Sequence, residues 1–193
     1  TALKLKPNYP EAHWNLSLIQ LLSGNYKEGW ENYEWRWKIK NAKQPHAQPV
    51  IPEWKGEQLS TGDKLLVISE QGLGDTIQYM RYIPYLRDQG IDVGFCAQTK
   101  LHSLIKASDL DNNPLTPEQG NLVKEGKWIP LLSLPRYLNV NPKNPIISGT
   151  YISEEKHLVN HWKEILSKEK KPIIGINWQG NPETEKNNLK GRS

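Results

Sequence analysis

Sulfur is scarce in these 193 residues: one cysteine, Cys96, and one methionine, Met80. Phenylalanine is as rare, with Phe95 alone. A single cysteine excludes an internal disulfide framework and a cysteine-based zinc cluster. No run of 18 apolar residues occurs, which excludes a membrane-spanning helix. No segment is a polybasic arm. Residues 1–50 carry 7 basic and 4 acidic groups, residues 51–150 carry 10 and 11, and residues 151–193 carry 8 and 6. The net charge of +4 is therefore spread over a mixed surface, and no nucleic-acid partner is expected. The first residues lack the basic, apolar and cleavage regions of a signal peptide. They also lack an initiator Met, so the chain is expected to begin inside a longer, cytoplasmic protein.

What is present is polar but not disordered. Hydrophobic residues make up 36% and charged residues 24%, and the mean hydropathy is −0.71. Eight Trp and eight Tyr stand out. Such side chains suit half-buried positions with a polar partner, at repeat interfaces or in ligand grooves.

Residues 1–43 read as helices. Pro10-Glu11-Ala12 is a helix start with Pro in the first turn. Ala12, Leu16, Ile19 and Leu22 recur at helical spacing. Ser23-Gly24-Asn25 breaks the pattern, with Gly24 as a left-handed cap. A second helix places Tyr26, Trp30, Tyr33 and Trp37 on one stripe. Gly29, three residues, then Tyr33, with Ala2 and Pro7 closing a preceding unit, resembles the tetratricopeptide repeat. One repeat closes at Tyr9 and the next runs over residues 10–43. Ser17 replaces the usual Gly. Arg36 stands where Ala2 stood one repeat earlier, and Asn41 where Pro7 stood. The resemblance implies a terminal repeat of a longer array, with a polypeptide partner on the repeat surface.

Residues 44–62, with Pro45, Pro49 and Pro52, read as an ordered but irregular linker that Trp54 pins to a neighbouring domain. From Lys64 the character changes. Leu65-Leu66-Val67-Ile68 has the pattern of a strand buried on both faces. A helix from Ile77 through Leu86, ended by Gly90, leads to a second strand over residues 91–96. A short helix follows over residues 101–105. This β-α-β-α order predicts a parallel sheet. Residues 107–127 read as loop, residues 128–130 as a short strand, and residues 131–138 as a short helix. Residues 142–149 read as extended and Tyr151-Ile152 as an edge strand. Residues 154–168 read as a helix with Leu158, Trp162, Ile165 and Leu166 as its stripe. Residues 172–178 read as a fresh buried strand.

The loop Gln71-Gly72-Leu73-Gly74-Asp75-Thr76 joins the first strand to its helix. That is the carboxyl end of a strand, where open α/β sheets bind ligands. It is not a dinucleotide fingerprint, since Ile77 holds the third Gly position, and it lacks the Lys-Ser/Thr of a Walker A loop. Asp75 has two readings, a helix cap or a general base facing an acceptor hydroxyl. Arg81 either faces the crevice or pairs with Asp88. His157 and His161 share a helix face but lack a third ligand, so no metal site is expected. Cys96 reads as a core residue.

Together, Leu65-Leu66-Val67, the run Glu70 to Tyr79, Arg81-Tyr82, Leu131 to Pro135, the run Ile174 to Asn181 and Gly191-Arg192-Ser193 resemble a glycosyltransferase-like domain. That domain follows tetratricopeptide repeats in many bacterial proteins. It is similar to the heptosyltransferases and, more distantly, to the protein O-GlcNAc transferases. The resemblance implies an α/β, Rossmann-like N-terminal half of a GT-B glycosyltransferase, preceded by the α-helical repeat. On this reading residues 63–170 form the acceptor-side domain and residues 171–193 begin a truncated donor-binding domain. Transfer from a nucleotide sugar, the co-substrate, is implied to be inverting, with no metal and no resident cofactor. Asp75 matches the proposed base. Gln71, Gly72, Gly74, Thr76 and Arg81 line the acceptor side. Asn177, Gln179 and Asn181 match the loop entering the donor domain. Lys190 and Arg192 either meet a diphosphate or are solvated. The rival reading is a non-catalytic repeat scaffold that mediates protein–protein contacts.

Overall fold

A computed structural model describes residues 2–146 and 149–176. Two compact units are present, Thr1–Glu154 and Glu155–Ser193. They divide at a place other than the expected boundaries after residues 43, 62 and 170.

The first unit opens with helices α1 (Ala2–Leu5), α2 (Pro10–Leu22) and α3 (Tyr26–Tyr33). α2 ends in a Schellman motif. Asn25 N–H reaches Gln20 O at 2.8 Å and Gly24 N–H reaches Leu21 O at 3.2 Å, with Gly24 at φ +83°. The return helix packs tightly because Gly29 is small: a Cβ there would stand 2.8 Å from Leu21 Cδ2. Trp14 and Tyr33 pack ring to ring at 4.9 Å, and His13 stacks on Trp35 at 3.9 Å. The expected Tyr26-to-Trp37 stripe is not one helix. α3 tightens into a 3-10 segment over Glu34–Lys38.

Strand β1 (Lys64–Ile68) is central to a parallel sheet of order β2-β1-β3, with β2 at Asp92–Cys96 and β3 at Lys127–Pro130. Leu65 pairs with Val93 and Lys127, and Ile68 with Cys96 and Pro130. The period of two separates two cores. Leu65, Val67, Val93, Phe95 and Ile129 face one core with Trp30, Tyr33, Ile83 and Ile105. Leu66, Ile68 and Cys96 face the other, covered by Ala47 and Ile51. The 44–62 segment is therefore a layer of the α/β core. Trp54 is buried, its N–H reaches Trp128 O at 2.7 Å, and Trp128 N–H reaches Pro52 O at 3.0 Å.

The single helix expected after β1 is two, α4 (Leu73–Tyr79) and α5 (Tyr82–Asp88). Pro84 explains the break, because its ring excludes the carbonyl four residues back, that of Met80. At the third position of α5 its missing N–H costs nothing. Gly90, at φ +81°, ends the pair. Beyond β2 come a 3-10 turn (Thr99–Leu101) and α6 (His102–Ala107). The expected loop at residues 107–127 contains α7 (Pro117–Asn121). A capping box starts it: Gln119 N–H donates to Thr116 Oγ1 at 3.3 Å, and Thr116 N–H to Gln119 Oε1 at 2.9 Å. After β3 the expected helix splits into a 3-10 turn (Leu131–Ser133) and α8 (Leu134–Tyr137). The stretch expected to be extended contains a turn, with Asn141 and Asn144 bonded to each other. Tyr151-Ile152 is not a strand. Tyr151 is held by its side chain, whose hydroxyl donates to Ile77 O at 2.9 Å.

The second unit contains α9 (Lys156–Leu166), with its apolar stripe of Leu158, Trp162, Ile165 and Leu166 exposed. His157 pairs with Glu155 at 3.3 Å. Residues 172–176 are not the expected buried strand: they have no ladder partner among the described residues, and Ile174 is 82% exposed. Asn177 and Trp178 lie outside the described residues. No helix among the described residues is long and apolar enough to cross a membrane.

Candidate functional site at the carboxyl end of the central strand

In the order β2-β1-β3 the chain leaves β1, pairs on one side, then crosses to the other. The crevice between the carboxyl ends of β1 and β3 is thus a topological switch point. Ser69 and Glu70 follow β1 into it, and Leu131–Ser133 follow β3.

The 71–75 loop leaves this crevice for α4. Gln71 adopts φ +60°, a left-handed conformation that a residue with a Cβ rarely takes. Gly72 is the N-cap at φ −90°, and its N–H donates to Asp75 Oδ2 at 3.0 Å. Asp75 is the third helical residue, so its carboxylate also complements the helix end. The cap reading of Asp75 is therefore present as geometry, and no described residue donates to its Oδ1. Thr76 is buried and donates to Gln98 Oε1 at 2.9 Å, tying the loop to the end of β2. Gly74 lies inside α4 with an ordinary φ, and a Cβ there would meet nothing within 4 Å. Neither backbone nor packing requires that glycine.

The structure brings Gln71, Gly72, Gly74, Asp75 and Thr76 together at one strand-to-helix turn. Arg81 goes elsewhere. Its Nε donates to Gln78 O at 2.7 Å and its Nη2 to the Tyr151 hydroxyl at 3.2 Å, with the guanidinium 5.0 Å from that ring. Of its two expected roles, pairing with Asp88 does not occur. Asn177, Gln179, Asn181, Lys190 and Arg192 lie outside the described residues.

Beneath the loop is a group of residues that sequence reasoning did not assemble. Arg36 reaches out of the hairpin into the switch point, its side chain 3% exposed, and meets Glu70, 1% exposed. Nε donates to Glu70 Oε2 at 3.1 Å and Nη2 to Glu70 Oε1 at 2.8 Å, a bidentate fork. Nη2 also donates to Ser133 Oγ at 2.8 Å, and Nη1 to Glu34 Oε1 at 2.7 Å and Tyr33 O at 3.3 Å. Leu132 N–H donates to Glu70 Oε1 at 3.2 Å. The guanidinium lies 4.7 Å from the Tyr33 ring and 4.3 Å from the Trp37 ring. Burial pushes the Glu70 carboxyl above its usual range, against the pull of Arg36. Burial alone would lower Arg36, but Glu70 and Glu34 outweigh it and hold the guanidinium above its ordinary value. Burial pushes the Tyr33 phenol up to about 12. The signal available in the sequence was Arg36 itself, a charge where the repeat pattern has alanine.

The chain is thus a mixed α/β protein whose small parallel sheet carries an N-terminal helical hairpin. No family model matches it, and no solved structure does. Protein FlbA of Caulobacter vibrioides (strain ATCC 19089 / CIP 103742 / CB 15) is 36% identical over 66 residues, a match covering 34% of this chain and 11% of FlbA.

Proposed function

We propose that this chain belongs to a cytoplasmic, repeat-linked glycosyltransferase-like protein that moves a sugar from a nucleotide sugar to a hydroxyl acceptor. The 71–75 loop takes the acceptor, and Asp75 is the base. Its carboxylate accepts the hydroxyl proton as the oxygen attacks the anomeric carbon. The bond from that carbon to the diphosphate breaks, and the nucleoside diphosphate leaves with the electron pair, inverting the centre. The donor is held by residues beyond those described, with Asn177, Gln179, Asn181, Lys190 and Arg192 at its entrance. The helical hairpin recruits a polypeptide.

The observation that supports this reading is Gly74. Glycine is a poorer helix residue than alanine, and no internal contact accounts for it in the first turn of α4. Bare backbone facing solvent, beside a left-handed Gln71 at a switch point, suits close approach by a ligand.

A second reading is a non-catalytic scaffold. The observation favouring it is that Arg36 fills the switch point and Asp75 already serves as a cap. Asp75→Asn separates the two, because asparagine keeps an oxygen for Gly72 N–H and loses the basicity. In the natural full-length protein, nucleotide release would be measured from UDP-, GDP- and ADP-sugars. A base is expected to give a loss of about 10²–10⁴-fold in the variant. Unchanged turnover removes Asp75 from the mechanism, and no release from a folded wild-type protein favours the scaffold.

A further inference from the structure

We infer that Arg36 is a positioning residue for the 71–75 loop, so that the helical hairpin supplies part of the α/β domain's own site. What the loop binds rests on the reading above; how it is held does not. All five N–H groups of the guanidinium are engaged, two of them on Glu70, and both Glu70 oxygens accept from it. Glu70 immediately precedes Gln71, whose left-handed backbone persists only where the surroundings fix it. Arg36 and Leu132 N–H immobilise Glu70 from the hairpin and from the end of β3, and Thr76 on Gln98 anchors the other end of the loop. The loop is thus clamped at both ends, and the hairpin holds one clamp.

Stability alone does not account for this arrangement. A buried ion pair is commonly replaced by neutral side chains with little loss of stability, and its better-attested use is to fix one geometry. A lysine at position 36 could offer charge but not the planar fork. The alanine of the repeat pattern could offer neither, so the departure from that pattern at Arg36 has a structural reason.

Amide exchange, resolved residue by residue on the full chain, tests the assignment. The double variant Arg36→Met/Glu70→Gln removes the two most buried charges, the introduced amide keeps an acceptor oxygen for Leu132 N–H, and Glu34, which is partly exposed, keeps the Ser133 hydroxyl as a donor. It is expected to unfold within a few degrees of wild type, yet to exchange at Gly72 and Thr76 about tenfold faster or more. Amides of β2 are expected to stay as they were. Arg36→Lys is expected to give an intermediate loop rate, and it carries the test if the double variant does not fold. Loop rates unchanged in every folded variant would overturn the assignment. So would an increase spread evenly over the three strands, which marks lost global stability. No sugar turnover enters this readout, so failure of the transferase reading would appear separately, as absent nucleotide release from a protein whose loop still responds to Arg36.

Discussion

Arg36→Met alone is the sharpest perturbation the structure offers. It removes the guanidinium and leaves the Glu70 carboxylate, 1% exposed, with Leu132 N–H as its remaining donor. Breaking a buried pair from one side costs about 3–5 kcal/mol, because the surviving charge stays desolvated. A domain of ordinary stability has about 5–15 kcal/mol in total, so the variant should fold with a much reduced margin. Its pH dependence follows from Glu70. Burial already raises that carboxyl and the Glu34 charge adds to the rise, while Arg36 is the main opposition to it, helped by the Leu132 N–H. Without Arg36 the folded-state value moves further up, while the unfolded value stays near 4.5. A raised acid is stabilising in its protonated form. The penalty should therefore be smallest near the unfolded value, where the lost bonds to Ser133, Glu34 and Tyr33 O remain, then grow with pH toward the folded value and level off above it. Urea unfolding of wild type and variant, followed by tryptophan fluorescence at several values from about pH 4.5 to 8, measures it. Adding Glu70→Gln removes the stranded charge and should restore most of that loss at pH 8. A penalty below about 1 kcal/mol, or one that does not change with pH, would refute the reasoning.

Gly74→Ala should stabilise the fold by about 0.5–1 kcal/mol, since open space surrounds the site; on the proposed transferase reading it should also slow nucleotide release. A lower melting temperature would show that the fold itself needs the glycine. Gly120→Ala should cost about 1–3 kcal/mol, because its Cβ would stand 2.7 Å from Cys96 Sγ and 2.9 Å from Ala47 Cβ in a closed layer; equilibrium denaturation checks this. Burial pushes the Cys96 thiol up to about 12, so Ellman's reagent at pH 8 should leave it unmodified until urea unfolds the chain, and rapid labelling of the native protein would contradict its placement.

Much of the sheet was legible because its signals are local. The apolar run at Leu65 to Ile68 and the β-α-β order gave the parallel arrangement without tertiary information. Gly24 and Gly90 marked their turns because a left-handed residue favours glycine. Thr116-Pro117 with Gln119 was also a local signal, a capping box hidden in a polar stretch read as loop. The break between α4 and α5 was written in Pro84. What local pattern could not carry was partnership at long range. Glu70 is two residues past a buried strand, and nothing near it names Arg36, 34 positions earlier, as its counter-ion. Residues 172–176 show the opposite error. An apolar run states what a segment can bury, but a strand forms only where a neighbour offers a ladder.

The layer formed by Ala47 and Ile51 bears on how such a protein can be reshuffled. Exchanging everything upstream of Lys64 for another helical array would strip one face of the sheet and remove the cation from its crevice. The helical hairpin and the stretch after it pack with the sheet as one block, and any exchange that keeps the sheet has to carry both along.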